Sequence, residues 1–379
     1  MVAIANVMDF REAARRKLPR LLFDYIDGGS YDEVTLRRNV ADMSAIGLRQ
    51  RVMRDVSSLS LETELFGQKM SMPVGLGPVG FSGMYAHRGE VQAARAAHAA
   101  GIPYCLSTLS ICDVEEVSRK SGQPIWFQFY MIKDRGFMRA LLEKVQACGT
   151  PVLVFTVDLP VTGSRYRDMR GGISAPPTLP VLLSRYWQGI THPSWLWNVQ
   201  FTGGPHIFGN VAPAVKSRTI GAFAAWVAAN FDASLTWKHI GWIRENWKGP
   251  IVLKGVLDPD DAKQAVAAGV DGIVVSNHGG RQLDGARSSI SALPGIVDAV
   301  QGDLPILFDG GVRSGLDVLR ALATGAQACL LGRAWAYSLA ANGQAGVAQM
   351  LSIIRAELQV AMALTGCTDV RKAGRDLLG

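Results

Sequence analysis

The sequence predicts an α/β chain of one domain spanning residues 1–379: a (β/α)8 TIM barrel with an N-terminal helical cap segment and one apolar insertion after strand 4. Three observations lead there. Eight short apolar runs recur along the chain, helical patterns lie between them, and the single break in that rhythm is rich in Trp and Leu. Runs that are apolar without alternation belong to a parallel sheet covered on both faces. They begin near Pro73, Pro103, Ile125, Val152, Pro250, Gly272, Pro305 and Ala328. Most starts lie roughly 20–35 residues apart, about what one β-loop-α-loop unit consumes in such a barrel. A doubly wound open sheet is the rival, but no GxGxxG turn follows the first run, so closure is favoured.

Taken in order, Val7 to Ile26 reads as the cap helix, with Phe10, Ala14, Leu18, Leu21 and Tyr25 at helical spacing. Asp27-Gly28-Gly29 closes it, through the positive backbone angle that glycine permits. Later helical patterns close on Gly101, Gly122, Gly149, Gly249, Gly269, Gly302 and Gly325. The clearest start is Asp258-Pro259-Asp260-Asp261, a capping Asp with proline at the first turn and acids at the positive dipole end. Met138 to Cys148 places Met138, Leu141, Leu142 and Val145 on one face.

Between Asp158 and Pro250 the rhythm stops. The centre of the insertion, about residues 173–216, holds Pro176, Pro177, Leu179, Leu182, Leu183, Tyr186, Trp187, Trp195, Trp197, Phe201 and Phe208 with few charges. A segment so apolar has no reason to face water. Amphipathic aromatics beside Arg185 and Lys216 suit a membrane surface at headgroup level; a lid or a subunit contact is the alternative.

Composition narrows the class. Apolar content of 48% is ample for a core, and the net charge of +7 is spread without basic runs. That distribution excludes a nucleic-acid arm and fits anionic small substrates or anionic lipid. The five cysteines show no CxxC spacing and read as free thiols, and no metal site is expected. No uninterrupted apolar stretch approaches the roughly 18–20 residues of a membrane span. The residues up to Met8 lack the basic region of a signal peptide, so none is expected.

Chemistry gathers at the predicted strand ends, where the loops of a barrel converge on one mouth. Gln128 and Tyr130 follow the third run, Thr156 and Asp158 the fourth, Lys254 the fifth, His278 the sixth and Asp309 the seventh. Within Ser276-Asn-His-Gly-Gly-Arg-Gln-Leu-Asp284, a base titrating near neutrality stands beside a guanidinium shaped to grip a carboxylate. The pairing points to proton chemistry on a small acid. Asp309-Gly310-Gly311-Val312-Arg313 and Gly332-Arg333 supply glycine backbone and charge for a phosphate, without saying which phosphate. Lys254 tips the choice toward a flavin, whose reduced N1–C2=O edge a fixed cation stabilises. Ser107, Gln128 and Thr156 are placed to bond the rest of that edge.

These motifs, together with Thr156-Val-Asp-Leu-Pro-Val-Thr-Gly-Ser-Arg165, resemble the FMN-dependent L-2-hydroxy acid dehydrogenase and oxidase family. The similarity runs from Asp9 to about Gly366. Around Gly28 and Pro78 it is most like the membrane-associated, quinone-linked L-lactate branch. The resemblance implies His278 as the base, Asp158 as the stabiliser of its protonated form, and Tyr130 among the catalytic groups. Arg165 and Arg281 would hold the substrate carboxylate, with Tyr25 and Tyr130 orienting it. FMN would rest on Pro78, Val79 and Gly80 and meet Ser107, Gln128, Thr156, Lys254 and Ser276. Its phosphate would sit at Asp309, Gly310, Gly311 and Arg313, and at Gly332 and Arg333. The implied reaction is oxidation of an L-2-hydroxy acid, best L-lactate to pyruvate, with electrons passed to a quinone. The implied setting is the cytoplasmic face of the bacterial inner membrane, as a peripheral homo-oligomer (tetramer). Oxidases of the family tend to carry Ala where this chain has Gly80 and lack the apolar insertion. A soluble oxidase or monooxygenase using dioxygen, or a mandelate or glycolate dehydrogenase, is the alternative.

Overall fold

The computed structural model describes residues 3–173, 178–215, 226–227 and 229–379. Pro176, Pro177 and Lys216 of the predicted lipid-facing segment lie outside them.

A two-stranded antiparallel hairpin, β1 (Thr63–Leu65) and β2 (Gln68–Met70), precedes the barrel. The barrel strands are β3 (Val74–Leu76), β4 (Cys105–Ser107), β5 (Trp126–Phe129), β6 (Leu153–Thr156), β7 (Ile251–Val256), β8 (Gly272–Val275), β9 (Ile306–Phe308) and β10 (Ala328–Leu331). They pair in the parallel order β3-β10-β9-β8-β7-β6-β5-β4. A bridge between Leu76 and Tyr104, with the Leu76 N–H donating to Pro103 O at 2.9 Å, closes the ring. The expected barrel is therefore present, and each of the eight predicted runs supplies one strand. Every barrel-strand residue is buried except Gly255, as a parallel sheet covered by helices requires. The hairpin plugs the end opposite the strand C-termini. Phe66 packs on Trp126 and against Gly272, and the Trp126 indole donates to Gln68 at 3.1 Å.

The cap departs from the single helix expected. Two helices, α1 (Val7–Lys17) and α2 (Arg20–Asp27), are separated at Leu18-Pro19, because proline cannot donate to a continuing helix. The closure at Gly28 also differs. Its φ is −71°, so the left-handed turn is not used. Glycine is needed there for proximity instead: a Cβ on Gly28 would stand 2.6 Å from Asp24 O, and one on Gly29 would stand 2.8 Å from Gly280 O. Asp27, just before, accepts from Arg11, Arg167 and Tyr337 and ties the cap to the barrel. A third cap helix, α3 (Val34–Ala45), has the N–H groups of Val34 and Thr35 satisfied by Asp284 from the loop after β8.

The helix Arg333–Thr365 is, by length and composition, apolar enough to cross a membrane, which the sequence reading did not anticipate. It breaks at Asn342-Gly343, where the dihedrals leave the helical range. It packs on α1 and on the helices Gly89–Ala99 and Gly315–Thr324, burying Trp335, Met350, Ile354 and Leu358. In this fold one face of it packs into the core, while Val360 and Leu364 stay exposed.

The insertion is partly helical. Helix Leu179–Thr191 buries none of its side chains. Leu179, Leu182, Leu183, Tyr186, Trp187 and Ile190 recur at three- and four-residue steps and are all exposed. That stripe would ordinarily face a core. Here the opposite side docks, through polar bonds: Arg185 donates to Gly171 O, and Gln188 accepts from the Leu21 N–H. The amphipathic order is inverted. Not every expected lipid contact survives. Trp195 is tied by its indole N–H to Met84 O at 2.8 Å, Phe208 is buried, and Arg185 is committed to Gly171 rather than free for a lipid phosphate.

Candidate active site

The loops leaving the strand C-termini enclose a cavity of about 700 Å³. Five cationic side chains line it (Arg165, Lys254, Arg281, Arg313 and Arg333) against two carboxylates, Asp168 and Asp309. Such a cavity attracts anions.

The β8 loop carries the base. His278 sits at φ +57°, an uncommon conformation for a residue with a side chain, and its N–H donates to Ser276 Oγ at 3.1 Å. Its Nδ1 is 2.8 Å from Asp158 Oδ1, which assigns the proton to Nδ1 and leaves Nε2 with no bond to any described residue. Burial pushes the imidazole below its ordinary value, against the pull of Asp158, so the neutral ring is the resting form. Burial alone would raise Asp158, but the bond to His278 and the nearby Lys254 hold it below the carboxylate range. The backbone yields to make this pair. At Gly255 the register of β7 shifts and φ is +111°; a Cβ there would lie 2.6 Å from the Asp158 Cβ.

The guanidiniums of Arg165 and Arg281 stand together. Arg281 Nη1 donates to Tyr25 O at 2.5 Å and to Gly28 O at 2.9 Å, and its Cζ lies 4.7 Å from the Tyr25 ring centre. Arg165 donates through Nε to Arg281 O and through Nη2 to Gln282 Oε1. Burial, and the charge of Arg281, push Arg165 below its ordinary value. Two like charges buried side by side are relieved by an anion, and a planar carboxylate matches the fork of either. Tyr130 lines the same wall as a neutral phenol, pushed up by burial.

Deeper in, the side chains await a partner rich in hydrogen-bonding edges. Gln128 Oε1 accepts from Ser107 Oγ at 3.1 Å and from the Thr108 N–H at 3.3 Å, which turns its Nε2 toward the cavity. Gln128 Nε2 and Thr156 Oγ1 are buried with no partner among the described residues, a cost that a bound polar ring would remove. Lys254 donates to Ser276 Oγ at 3.0 Å and pairs with Asp309 at 3.1 Å. Burial lowers it, but Asp309 and Asp158 more than restore its charge. At the far end, Gly310 and Gly311 have φ of +111° and +102°. A Cβ on either would strike Ser289 Oγ at 2.5 Å or Asn39 O at 2.2 Å. With Arg313 and the N-terminus of the helix starting at Arg333, they form a cradle for a phosphate. These donors fit FMN: Gln128, Thr156 and Lys254 at a flavin edge, and Gly310, Gly311, Arg313 and Gly332 at the phosphate.

Most of the predicted site residues thus line one cavity, including Tyr25, Pro78, Val79, Gly80, Ser107 and Gly332. Three stand differently. Ser276 is fully buried and off the cavity wall, holding Lys254 and the His278 backbone from beneath. Asp158 likewise lies behind His278 rather than on the wall. Arg333 reaches the wall, but its three nitrogens donate to Ile26 O, Gly279 O and Gly28 O, so it pins the surrounding loops as well. Burial, together with Arg281 and Arg313, brings it down to about 9. Two residues escaped the sequence reading. Asp168 lines the cavity 3.8 Å from Arg165 and 3.9 Å from Arg281; its place three residues after Arg165 on a short helix was the available signal. Asn39 of α3 exchanges two amide bonds with Asn277, at 2.8 and 2.7 Å, and anchors the histidine loop.

Comparison with known proteins agrees with this geometry. Residues 14–379 match the model of the family described as FMN-dependent dehydrogenase. An L-lactate dehydrogenase of Stenotrophomonas maltophilia (strain R551-3) is 58% identical over 376 residues, covering 99% of this chain and 98% of that protein. An L-lactate dehydrogenase of Caulobacter sp. (strain K31) is 57% identical with the same coverage. Among solved structures, that of the monotopic membrane protein (S)-mandelate dehydrogenase superposes with a TM-score of 0.92 at 36% identity, covering 100% of both chains. A mandelate oxidase with (S)-4-hydroxymandelic acid gives 0.85 at 38% identity, covering 99% of this chain and 98% of that one. The chain belongs to the FMN-dependent dehydrogenase family, and FMN is its cofactor.

Proposed function

We infer that this enzyme oxidises L-lactate to pyruvate and delivers the electrons to a membrane quinone. The observation that carries the reading is the convergence of His278, backed by Asp158, and two guanidiniums on a cavity whose floor offers unpaired flavin-edge donors. FMN, when bound, supplies the two-electron acceptor. Arg165 and Arg281 bind the substrate carboxylate, and Tyr25 and Tyr130 orient it. His278 Nε2 accepts the proton, and Asp158 stabilises the imidazolium that results. Lys254 keeps a fixed positive charge at the floor.

L-Lactate is favoured because relatives named for it are 58% identical, against 36% for the mandelate dehydrogenase. The mandelate reading is kept by one feature: the outer wall is apolar, with Leu159, Met169, Ile173 and Val227. Anaerobic bleaching of the bound flavin by L-lactate, D-lactate, glycolate and (S)-mandelate decides between them. Fastest bleaching by L-lactate is expected; a clear preference for mandelate overturns the lactate assignment.

The exposed stripe on helix Leu179–Thr191, with Trp197 and Phe201 beyond it, supports attachment to the cytoplasmic face of a bacterial inner membrane, without a span. A homo-tetramer is the assembly proposed. A quinone dissolved in that bilayer is then the natural acceptor. Gly80 favours dehydrogenase over oxidase chemistry, since no backbone strain demands glycine there; a Cβ would meet Leu109 O at 3.3 Å, the Tyr25 hydroxyl at 3.5 Å and Leu109 Cβ at 3.6 Å. Stoichiometric hydrogen peroxide from L-lactate in air, with a quinone analogue left unreduced, would overturn the quinone assignment.

A further inference from the structure

We propose that Asp168 sets the charge selectivity of the substrate site, as the resident counter-anion of Arg165 and Arg281 that restricts the site to 2-hydroxy acids with a single negative charge. The inference rests on the carboxylate clamp described above and adds a residue to it. The Asp168 side chain is 3% exposed and lines the cavity. Its Oδ2 lies 3.8 Å from Arg165 Nη1 and 3.9 Å from Arg281 Nη2, and no described residue donates a hydrogen bond to it. At that separation its charge acts while its oxygens do not occupy the guanidinium donors. The bonds that fix the two guanidiniums use other nitrogens, Arg281 Nη1 to Tyr25 O and Gly28 O and Arg165 Nε and Nη2 to Arg281 O and Gln282, so Arg165 Nη1 and Arg281 Nη2 are left for a substrate carboxylate. The next charges outward form one network, Arg11, Arg20 and Arg167 against Asp24, Asp27 and Glu33, whose three cations and three carboxylates leave the local balance unchanged.

That balance decides what enters. Of the cations on the wall outside the clamp, Lys254 is paired with Asp309, and Arg333, which shares Gly28 O with Arg281, belongs with Arg313 to the cradle of a phosphate dianion. At the clamp, two guanidiniums and one carboxylate leave a single positive charge. A monocarboxylate substrate closes it to zero. A dicarboxylate leaves an uncompensated negative charge in a buried site, the costly case for ions removed from water. Replacing Asp168 by a neutral amide of the same shape shifts the closing charge from one to two.

The test compares the holoenzyme with Asp168→Asn and Asp168→Glu, using two independent readouts. Perturbation of the flavin spectrum measures binding of acetate and malonate without turnover. Steady-state kinetics with an artificial electron acceptor gives kcat/KM for L-lactate and L-malate. In Asp168→Asn both the malonate-to-acetate affinity ratio and the malate-to-lactate ratio rise about tenfold or more, acetate binding does not weaken, and Asp168→Glu keeps the wild-type ratios. Ratios unchanged in Asp168→Asn overturn the proposal, as does a wild type that takes L-malate as readily as L-lactate. Should the amide variant fail to hold FMN, Asp168→Ser carries the same comparison, and the wild-type arm already stands alone. If no 2-hydroxy acid bleaches the wild-type flavin while the malonate and acetate contrast behaves as stated, the functional reading falls and the charge assignment survives.

Discussion

The loop after β8 and the helix Leu179–Thr191 obey opposite rules. In the loop, polar groups are tied down. Asn277 is paired with Asn39, His278 with Asp158, the Gly280 carbonyl with Ser30, and Asp284 with the start of α3. On the helix, polar groups face inward and six large apolar side chains face out. One region spends its interactions on fixing a base within a fraction of an ångström, which proton transfer demands. The other leaves its apolar surface for something outside the chain. Positioning the base and the attachment proposed above fall to separate segments.

That division can be broken from either side, and the largest effect belongs to the loop. His278→Ala should slow flavin reduction by L-lactate about 10³-fold or more while the visible flavin spectrum persists. Stopped-flow bleaching at an undiminished rate would remove His278 as the base. Arg281→Lys should follow, costing about 10²-fold in kcat/KM, because an ammonium cannot reproduce the bonds to Tyr25 O and Gly28 O and still face a carboxylate. The pH profile sharpens the same point. Burial keeps His278 below 6.5, so kcat/KM should stay level from above that value down to an acid limb beneath it. In Asp158→Asn the group that raises the imidazole is lost, so the limb should move to lower pH as the rate drops. A limb that moves upward contradicts the pairing.

The cap supplies a stability counterpart. Burial would raise Asp27, yet bonds from Arg11, Tyr337 and Arg167 bring it from 3.8 down to about 2. A depressed carboxylate stabilises the fold above its unfolded value and loses that contribution as pH falls through the folded one. Asp27→Asn should therefore cost about 2 kcal/mol in urea unfolding at pH 7. The gap to wild type should narrow between pH 3.8 and 2. An equal gap at both ends of that window would make the effect one of packing alone.

How much of this was legible depends on which physics wrote it. The strand ends were readable because a parallel barrel brings every such position to one rim, so Gln128, Thr156, Lys254, His278 and Asp309 announced themselves by type and place. What resisted was orientation. Ser276 follows a strand directly, yet it turns under the loop to hold Lys254, because His278 takes a left-handed conformation no spacing reveals. Asp168 was passed over because the value of a carboxylate beside an arginine depends on a second arginine more than a hundred residues on. The break at Pro19 was visible in the letters and overridden by periodicity. The insertion showed its apolar composition plainly, but not that Trp195 and Phe208 turn inward while Trp187 turns out.

The smallest expected effect is the most discriminating. Leu183 is 56% exposed and Trp187 is 63% exposed, and neither lies in the core. If their purpose lies outside the chain, Leu183→Ser with Trp187→Ser should leave folding within about 0.5 kcal/mol of wild type, as substitutions away from packed sites do. The same pair should reduce sedimentation with anionic vesicles, since each removes apolar area that only a bilayer would bury. A thermal midpoint that falls sharply would mean a partner subunit covers this face, with the apolar stripe serving assembly. Unchanged stability with lost vesicle binding would leave the stripe one function, which is to hold the flavin site at the lipid surface where a quinone can reach it.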